Sequence, residues 1–143
     1  MQTDPRNPQH WFDFAERELQ RAHRRFAEPD LKDCLFHLQQ CAEKAMKGRL
    51  VSAGWSLQKT HDLGALSMAL CTYGIDCAWF EETADVLATA YLADRYPGFD
   101  DEPPNSGELR GFVGDTRQLF ETLSGRSYSG PELPADAPPG AER

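Results

Sequence analysis

Residues 31–50, LKDCLFHLQQCAEKAMKGRL, predict a long central helix, because their apolar side chains recur at helical spacing throughout. Their stripe is too wide for one neighbouring helix and requires partners on several sides, as in a bundle. Gly48 lies inside this helix, where a close packing contact would explain it, and Gly54 is expected to end it. The stripe consists of Leu31, Cys34, Leu35, Leu38, Cys41, Ala42, Ala45 and Met46.

Four further segments have helical periodicity. One runs from Trp11 to Phe26, and three begin at residues that can cap a first turn: Thr60, Asp76, and Asn105 with Glu108. The third helix is expected to end at Tyr73-Gly74 and the fourth before Pro97. No segment alternates at period two, so the sequence predicts an all-α fold. We expect an up-and-down four-helix bundle with an additional C-terminal helix within residues 1–123, followed by a disordered Pro/Gly-rich tail at 124–143.

Size and charge limit the function. The 143 residues suit one domain, and the net charge of −8 argues against sequence-independent coating of DNA. The charge is uneven, since residues 1–60 carry ten Lys/Arg against eight Asp/Glu and residues 61–143 carry five against fifteen. No apolar run is long enough to span a bilayer and no secretory signal is visible, so we expect a cytoplasmic protein.

Motifs for common chemistries are absent. The sequence contains no P-loop, dinucleotide-binding glycine turn, zinc-protease helix or nucleophile elbow. Cys34, His37 and Cys41 share one helix, but they lack the paired knuckles of a structural zinc site. We therefore predict no metal site and interpret the four cysteines as thiols of the core.

One group of cations suits an anion. Lys44 and Lys47 are three residues apart on the second helix, and His61, preceded by Lys59, opens the third. The first turn of a helix favours a phosphate nearby. The alternative interpretation is a pair of solvated lysines beside a histidine that is hydrogen-bonded across the loop.

Three sequence blocks together resemble the HEPN domain family, over roughly residues 10–123. They are QQxAEKAxK at 39–47, KTHDLxxL at 59–66 and YxxxRYP at 91–97. The resemblance implies a bundle related to the C-terminal domain of kanamycin nucleotidyltransferase. It also implies nucleotide binding, a homodimer, and pairing with a minimal nucleotidyltransferase in a toxin–antitoxin-like system. No cofactor is expected other than Mg²⁺ accompanying a nucleotide.

The third block adds two candidate ligand contacts. Arg95 could fork onto a phosphate and Tyr96 could stack on a base. In the alternative interpretation, Arg95 interacts favourably with the dipole of its own helix or pairs with an acidic neighbour (Asp94, Asp100 or Asp101). The predicted nucleotide-binding set is therefore Lys44, Lys47, Lys59, His61, Arg95 and Tyr96.

Some relatives in the resembled family are metal-independent RNases that use an R-x4-6-H motif across a dimer interface. The match to this spacing is Arg17-x5-His23, which lies on the first helix, where the two side chains point about 120° apart. The sequence therefore favours a binding module over an enzyme. An RNase acting on RNA remains one alternative, with His61, Arg95, Arg17 and His23 as candidate catalytic residues, and a non-catalytic protein-interaction module is another.

Overall fold

The computed structural model describes residues 2–27, 31–98 and 104–135, and five α-helices account for most of them. These are α1 (Pro8–Ala27), α2 (Leu31–Ser52), α3 (Leu63–Thr72), α4 (Glu81–Arg95) and α5 (Ser106–Ser124), with a 3₁₀ turn at Ala78–Phe80 before α4. No strand occurs in these described residues, which confirms the all-α prediction. No helix in the same part of the chain is long and apolar enough to cross a membrane.

Helix α2 is the centre of the molecule, because it contacts each of the other four helices. Its wide apolar stripe is buried among them, as the periodicity predicts. Gly48 packs closely against α1, since a Cβ atom there would lie 2.6 Å from Cε1 of Phe12. The predicted close contact at this glycine is therefore confirmed. The up-and-down order of the helices stays a prediction.

The start of α3 corrects one expected cap. Asp62, rather than Thr60, is the N-cap residue, because its Oδ1 atom accepts from the backbone N–H of Ala65 at 3.2 Å. Thr60 Oγ1 instead accepts from the N–H of Asp62 at 3.1 Å and so stabilises the turn before the helix. Asp76 accepts from the N–H of Ala78 at 2.8 Å, so it supports the 3₁₀ turn that precedes α4 rather than α4 itself.

The other helix ends agree with the sequence signals. Asn105 and Glu108 form the predicted capping box of α5, with reciprocal bonds of 2.8 and 3.1 Å between side chain and backbone. Helix α2 ends two residues before Gly54, whose φ of +98° favours glycine. Helix α4 ends at Arg95, just before Pro97.

The segment after α5 departs in part from the expected tail. Residues 125–135 have no helix or strand, but Tyr128 is buried and its ring stacks on His23 at 4.6 Å between centroids. Arg126 also pairs with Asp13 of α1 at 2.8 Å. These contacts were not predicted, because a single aromatic anchor leaves no periodic signal in the sequence. The rest of the predicted tail lies outside the described residues.

Candidate functional site

A buried carboxylate lies at the centre of the buried polar residues of α2. Glu43 is 1% exposed, although it lies at the middle of the helix. Its Oε2 accepts from Lys47 Nζ at 2.9 Å, and its Oε1 lies 2.8 Å from Nδ1 of His61, in the loop before α3. Glu43 thus joins a lysine of its own helix to a histidine that is 18 residues away in the chain.

Glu43 is held in its charged form. Burial raises the pKa of this carboxyl, but the hydrogen bond from Lys47, the charge of Lys44 and the hydrogen bond to His61 together outweigh burial and leave the pKa below its ordinary value of 4.5. The site therefore contains a permanent negative charge beneath the surface at neutral pH. Lys47, with a side chain only 6% exposed, is the buried cation that compensates it.

Two glutamines and a lysine extend the network along α2. Gln39 Nε2 donates to the backbone carbonyl of His61 at 3.3 Å and lies 3.4 Å from Oε1 of Glu43. Gln40 Nε2 donates to Gln39 Oε1 at 2.6 Å, and Lys44 Nζ donates to Gln40 Oε1 at 3.2 Å. Both the backbone and the ring of His61 are consequently fixed from α2.

His61 presents the outer half of its ring to solvent, since its side chain is 60% exposed. Because Nδ1 faces a carboxylate, the neutral imidazole carries its proton on Nδ1 and has a lone pair on Nε2. No hydrogen bond joins Nε2 to any residue of the described chain. An imidazole with one nitrogen anchored and the other open can accept a proton from a ligand or, when protonated, donate to one.

Arg95 and His61 both contact the ring of Tyr91. The Tyr91 ring centroid is 5.7 Å from that of His61 and 4.3 Å from the guanidinium carbon of Arg95. These two distances place the guanidinium carbon at most about 10 Å from the imidazole centre. Phe36 also lies under Arg95, at 5.5 Å. We call the surface formed by His61, Tyr91 and Arg95 the His61–Arg95 face.

Arg95 is exposed and forms no ion pair within the described part of the chain. Two aromatic rings hold its guanidinium by cation–π contact, which leaves its N–H donors available. The alternative pairing with Asp94, Asp100 or Asp101 involves side chains outside the described set.

The other predicted ligand residues occupy three different positions. Lys44 is partly exposed at the edge of the network. Lys47 is buried between Glu43 and the Trp11 ring, 5.7 Å from that ring's centroid. It therefore stabilises the carboxylate of Glu43 and is not exposed to a ligand. Lys59 and Tyr96 are exposed and make no side-chain hydrogen bond or ring contact with the described residues of the face.

Arg17 and His23 do not form a second site. Arg17 is exposed over the ring of Phe14, at 4.4 Å. His23 is 2% exposed, bonds the backbone oxygen of Leu19 through Nδ1 at 2.8 Å, and is covered by Tyr128. Burial lowers the pKa of His23, which favours the neutral ring. The two candidate catalytic side chains on α1 therefore stay apart.

Residues suited to a metal are scattered. Within the described ranges, no three His, Cys, Asp or Glu residues form a group that could hold an ion. His37 bonds Glu18 at 2.6 Å instead of meeting the cysteines of its helix. Three cysteines are buried, which confirms the core interpretation for them, but Cys71 is exposed because it lies on the outer side of the last turn of α3.

Sequence reasoning missed the central role of Glu43. The available signal was the run of polar residues at spacing four on α2, namely Gln39, Glu43 and Lys47, in a helix that packs on several sides. A polar stripe on such a helix must be buried and internally paired.

Comparison with known proteins identifies the family. A family model described as HEPN domain matches residues 8–126, which include the whole His61–Arg95 face and its support. No curated protein and no solved structure is significantly similar to the chain. The match supports a nucleotide-related or RNase-type module in general.

Proposed function

The chain belongs to the HEPN domain family, and from this premise and the geometry around His61 we propose that it is a nucleotide-binding module. The His61–Arg95 face would hold the phosphate groups. One observation carries the proposal: an exposed imidazole, anchored by the buried Glu43, and an exposed guanidinium with no ion pair in the described chain contact the same Tyr91 ring.

Each group has a distinct part in binding. Arg95 offers a planar fork of donors, which suits two oxygens of one phosphate. His61 adds a donor or an acceptor at Nε2, according to its protonation state, and Lys44 adds charge at the edge. Lys59 and Tyr96 are exposed and are close in sequence to His61 and Arg95, respectively. We propose that their side chains contact the ligand only after it has bound. Any Mg²⁺ would arrive with the nucleotide.

The proposal extends to partners that the family suggests. We include a homodimer and a minimal nucleotidyltransferase as binding partners, as in a toxin–antitoxin-like pair. Neither is needed for the phosphate contacts described above, so nucleotide binding can be tested on the isolated chain.

The test compares two arginines in matched settings. Arg95→Gln removes a guanidinium that lies over Tyr91, whereas Arg17→Gln removes one that lies over Phe14 on α1. Binding of ATP, GTP, CTP, UTP and their monophosphates is measured by calorimetry and thermal shift, with and without Mg²⁺. Since a charge-assisted hydrogen bond contributes about 1.5–3 kcal/mol, Arg95→Gln should weaken binding by about tenfold to a hundredfold. Arg17→Gln should leave it unchanged.

Two results would contradict nucleotide binding at this face. One is the absence of any thermal shift at millimolar nucleotide, because ligand at 100 times Kd adds about 2.7 kcal/mol and is readily seen. The other is an equal loss of affinity in Arg95→Gln and Arg17→Gln, which would place the contact elsewhere or make it non-specific.

A metal-independent RNase is the second candidate, and the Glu43–His61 pair is the observation that favours it. A carboxylate that holds Nδ1–H leaves Nε2 able to take the proton from a ribose 2′-hydroxyl. That oxygen would attack the adjacent phosphorus to form a 2′,3′-cyclic phosphate, the bond to the 5′ oxygen would break, and the 5′ oxygen would leave with a proton taken from water. Arg95 would stabilise the negative charge that develops on the phosphate.

The RNase candidate is tested by cleavage of RNA in the presence of EDTA. His61→Gln should abolish cleavage, while His37→Gln is the matched control, because His37 also meets a carboxylate through Nδ1 but its side chain is only 15% exposed. Cleavage that persists in His61→Gln, or that EDTA removes, would rule out this mechanism.

A further inference from the structure

A second surface lies between α3 and the start of α4. It is a cleft of about 520 Å³ with an apolar floor that includes Met46, Leu63, Phe80 and Ala84. Helix α3 forms one wall and has no charged residue in its ten positions. This volume is in the range of binding pockets rather than of packing defects. We call this surface the α3–α4 cleft.

Large apolar side chains continue the cleft outward. Met68 lines it and is 74% exposed, the largest value among the exposed large hydrophobics of the described chain. Trp79 is 44% exposed and its ring contacts that of Phe80, at 5.8 Å between centroids. Met68 lines the cleft and Trp79 contacts Phe80, which also lines it, so both exposed side chains extend the apolar surface of the cleft.

The rim of the cleft is acidic. Asp62, Glu81 and Asp85 line it, and no Lys, Arg or His is among the described residues that do so. Glu81 is in the first turn of α4, where the helix dipole favours a carboxylate. Asp85 is one turn further, where it gains less from the dipole and repels Glu81 at spacing four. Neither carboxylate forms an ion pair within the described residues.

We propose that the α3–α4 cleft binds a basic amphipathic helix of a protein partner. Such a helix would place apolar side chains on the floor and against Met68, whose flexible thioether adapts to different shapes. Its Lys and Arg residues would meet the carboxylates of the rim.

Charge favours this occupant over the others. A second copy of the chain, placed symmetrically, would set the acidic rim against itself. Nucleic acids and anionic membranes carry the same sign as the rim. Residues 61–143, which supply almost all of the cleft, contain fifteen Asp/Glu against five Lys/Arg.

The test uses the full chain and two fluorescein-labelled peptides of about 18 residues, long enough for five helical turns. Both peptides have leucine on one helical face. The opposite face carries lysine in the first peptide and glutamate in the second. Anisotropy should show micromolar binding of the lysine peptide and none of the glutamate peptide. Glu81→Lys should weaken the first by at least about tenfold, and Met68→Gln by about threefold to tenfold.

Glu82→Lys is the matched control. Glu82 is in the same first turn of α4 and is exposed, but it does not line the cleft. Both substitutions therefore change the net charge and the helix dipole equally, and only Glu81→Lys changes the rim. Arg95→Gln should bind the lysine peptide like the wild type, which keeps this test separate from that of nucleotide binding.

Three outcomes would overturn the proposal. In the first, the lysine peptide would fail to bind at about 100 micromolar protein, which is 100 times the expected Kd. In the second, Glu81→Lys and Glu82→Lys would weaken its binding equally, which would indicate attraction to the overall charge alone. In the third, sedimentation would show a dimer of the wild type that Met68→Gln dissociates, and a second copy would then occupy the cleft.

Discussion

Replacing Glu43 with leucine tests how much the buried carboxylate contributes to stability. The substitution keeps the approximate size of the side chain but leaves the ammonium of Lys47, whose side chain is 6% exposed, without its partner at 2.9 Å. Removing one member of a buried pair costs about 3–5 kcal/mol. The Trp11 ring stays near the ammonium, so we expect the lower end, about 3 kcal/mol. For a domain of this length that corresponds to about 10 °C in Tm.

The double variant Glu43→Leu/Lys47→Met separates stability from the site. Replacing both charges by apolar groups is often neutral, so urea and thermal unfolding should place it within about 1 kcal/mol of the wild type. The nucleotide affinity of the double variant should nevertheless be lower than that of the wild type, because His61 has lost the hydrogen bond that holds its ring. A single variant as stable as the wild type, or a double variant that binds nucleotide normally, would refute this reasoning.

Acid should remove the contribution of Glu43 in a defined direction. Its folded pKa lies below the ordinary value of 4.5, so the stabilisation is complete above about pH 4.5 and is lost as the pH falls through the folded pKa. The stability difference between the wild type and the double variant should therefore change below pH 4.5 and be constant above it.

Other substitutions test the fold. Gly48→Ala should lower the free energy of unfolding by about 1–2 kcal/mol, because its Cβ would lie 2.6 Å from the Phe12 ring and overpacking outweighs the helix propensity gained. Gly111→Ala, with no atom within 4 Å of its Cβ, should instead raise it by about 0.5–1 kcal/mol in urea unfolding. Asn105→Ala should cost about 1 kcal/mol of thermal stability by removing a cap. The lowered pKa of His23 means that the unfolded chain binds more protons, so stability should rise with pH up to about 6.5 in the wild type and less in His23→Gln, as followed by unfolding at each pH.

The helices could be predicted from the sequence because each repeats its apolar residues at helical spacing over several turns. The central position of α2 followed from the width of its stripe, and Gly48 from its place inside a helix. The N-cap of α3 was predicted at Thr60 but lies at Asp62. Both residue types cap helices well, and only the fold determines which side chain reaches a free N–H.

The candidate site was only partly predictable. His61, Lys44 and Arg95 could be chosen as cations that suit an anion, but their separation depends on how α2, α3 and α4 pack. The burial of Lys47 and the stacking of Tyr128 on His23 depend on partners far away in the chain. Spacing along one helix carries no information on such contacts.

The Glu43–Lys47 pair gives the strongest reason to assign a function to this face. A buried ion pair is weak grounds for stability, because the cost of removing two charges from water offsets most of their attraction. Core packing alone would be served as well by two apolar side chains at these positions. What those side chains could not do is hold Nδ1 of His61 at 2.8 Å in a ring whose side chain stays 60% exposed. The carboxylate therefore makes sense as a positioning group for the imidazole, and a double variant that is stable but cannot bind would show that its role lies there.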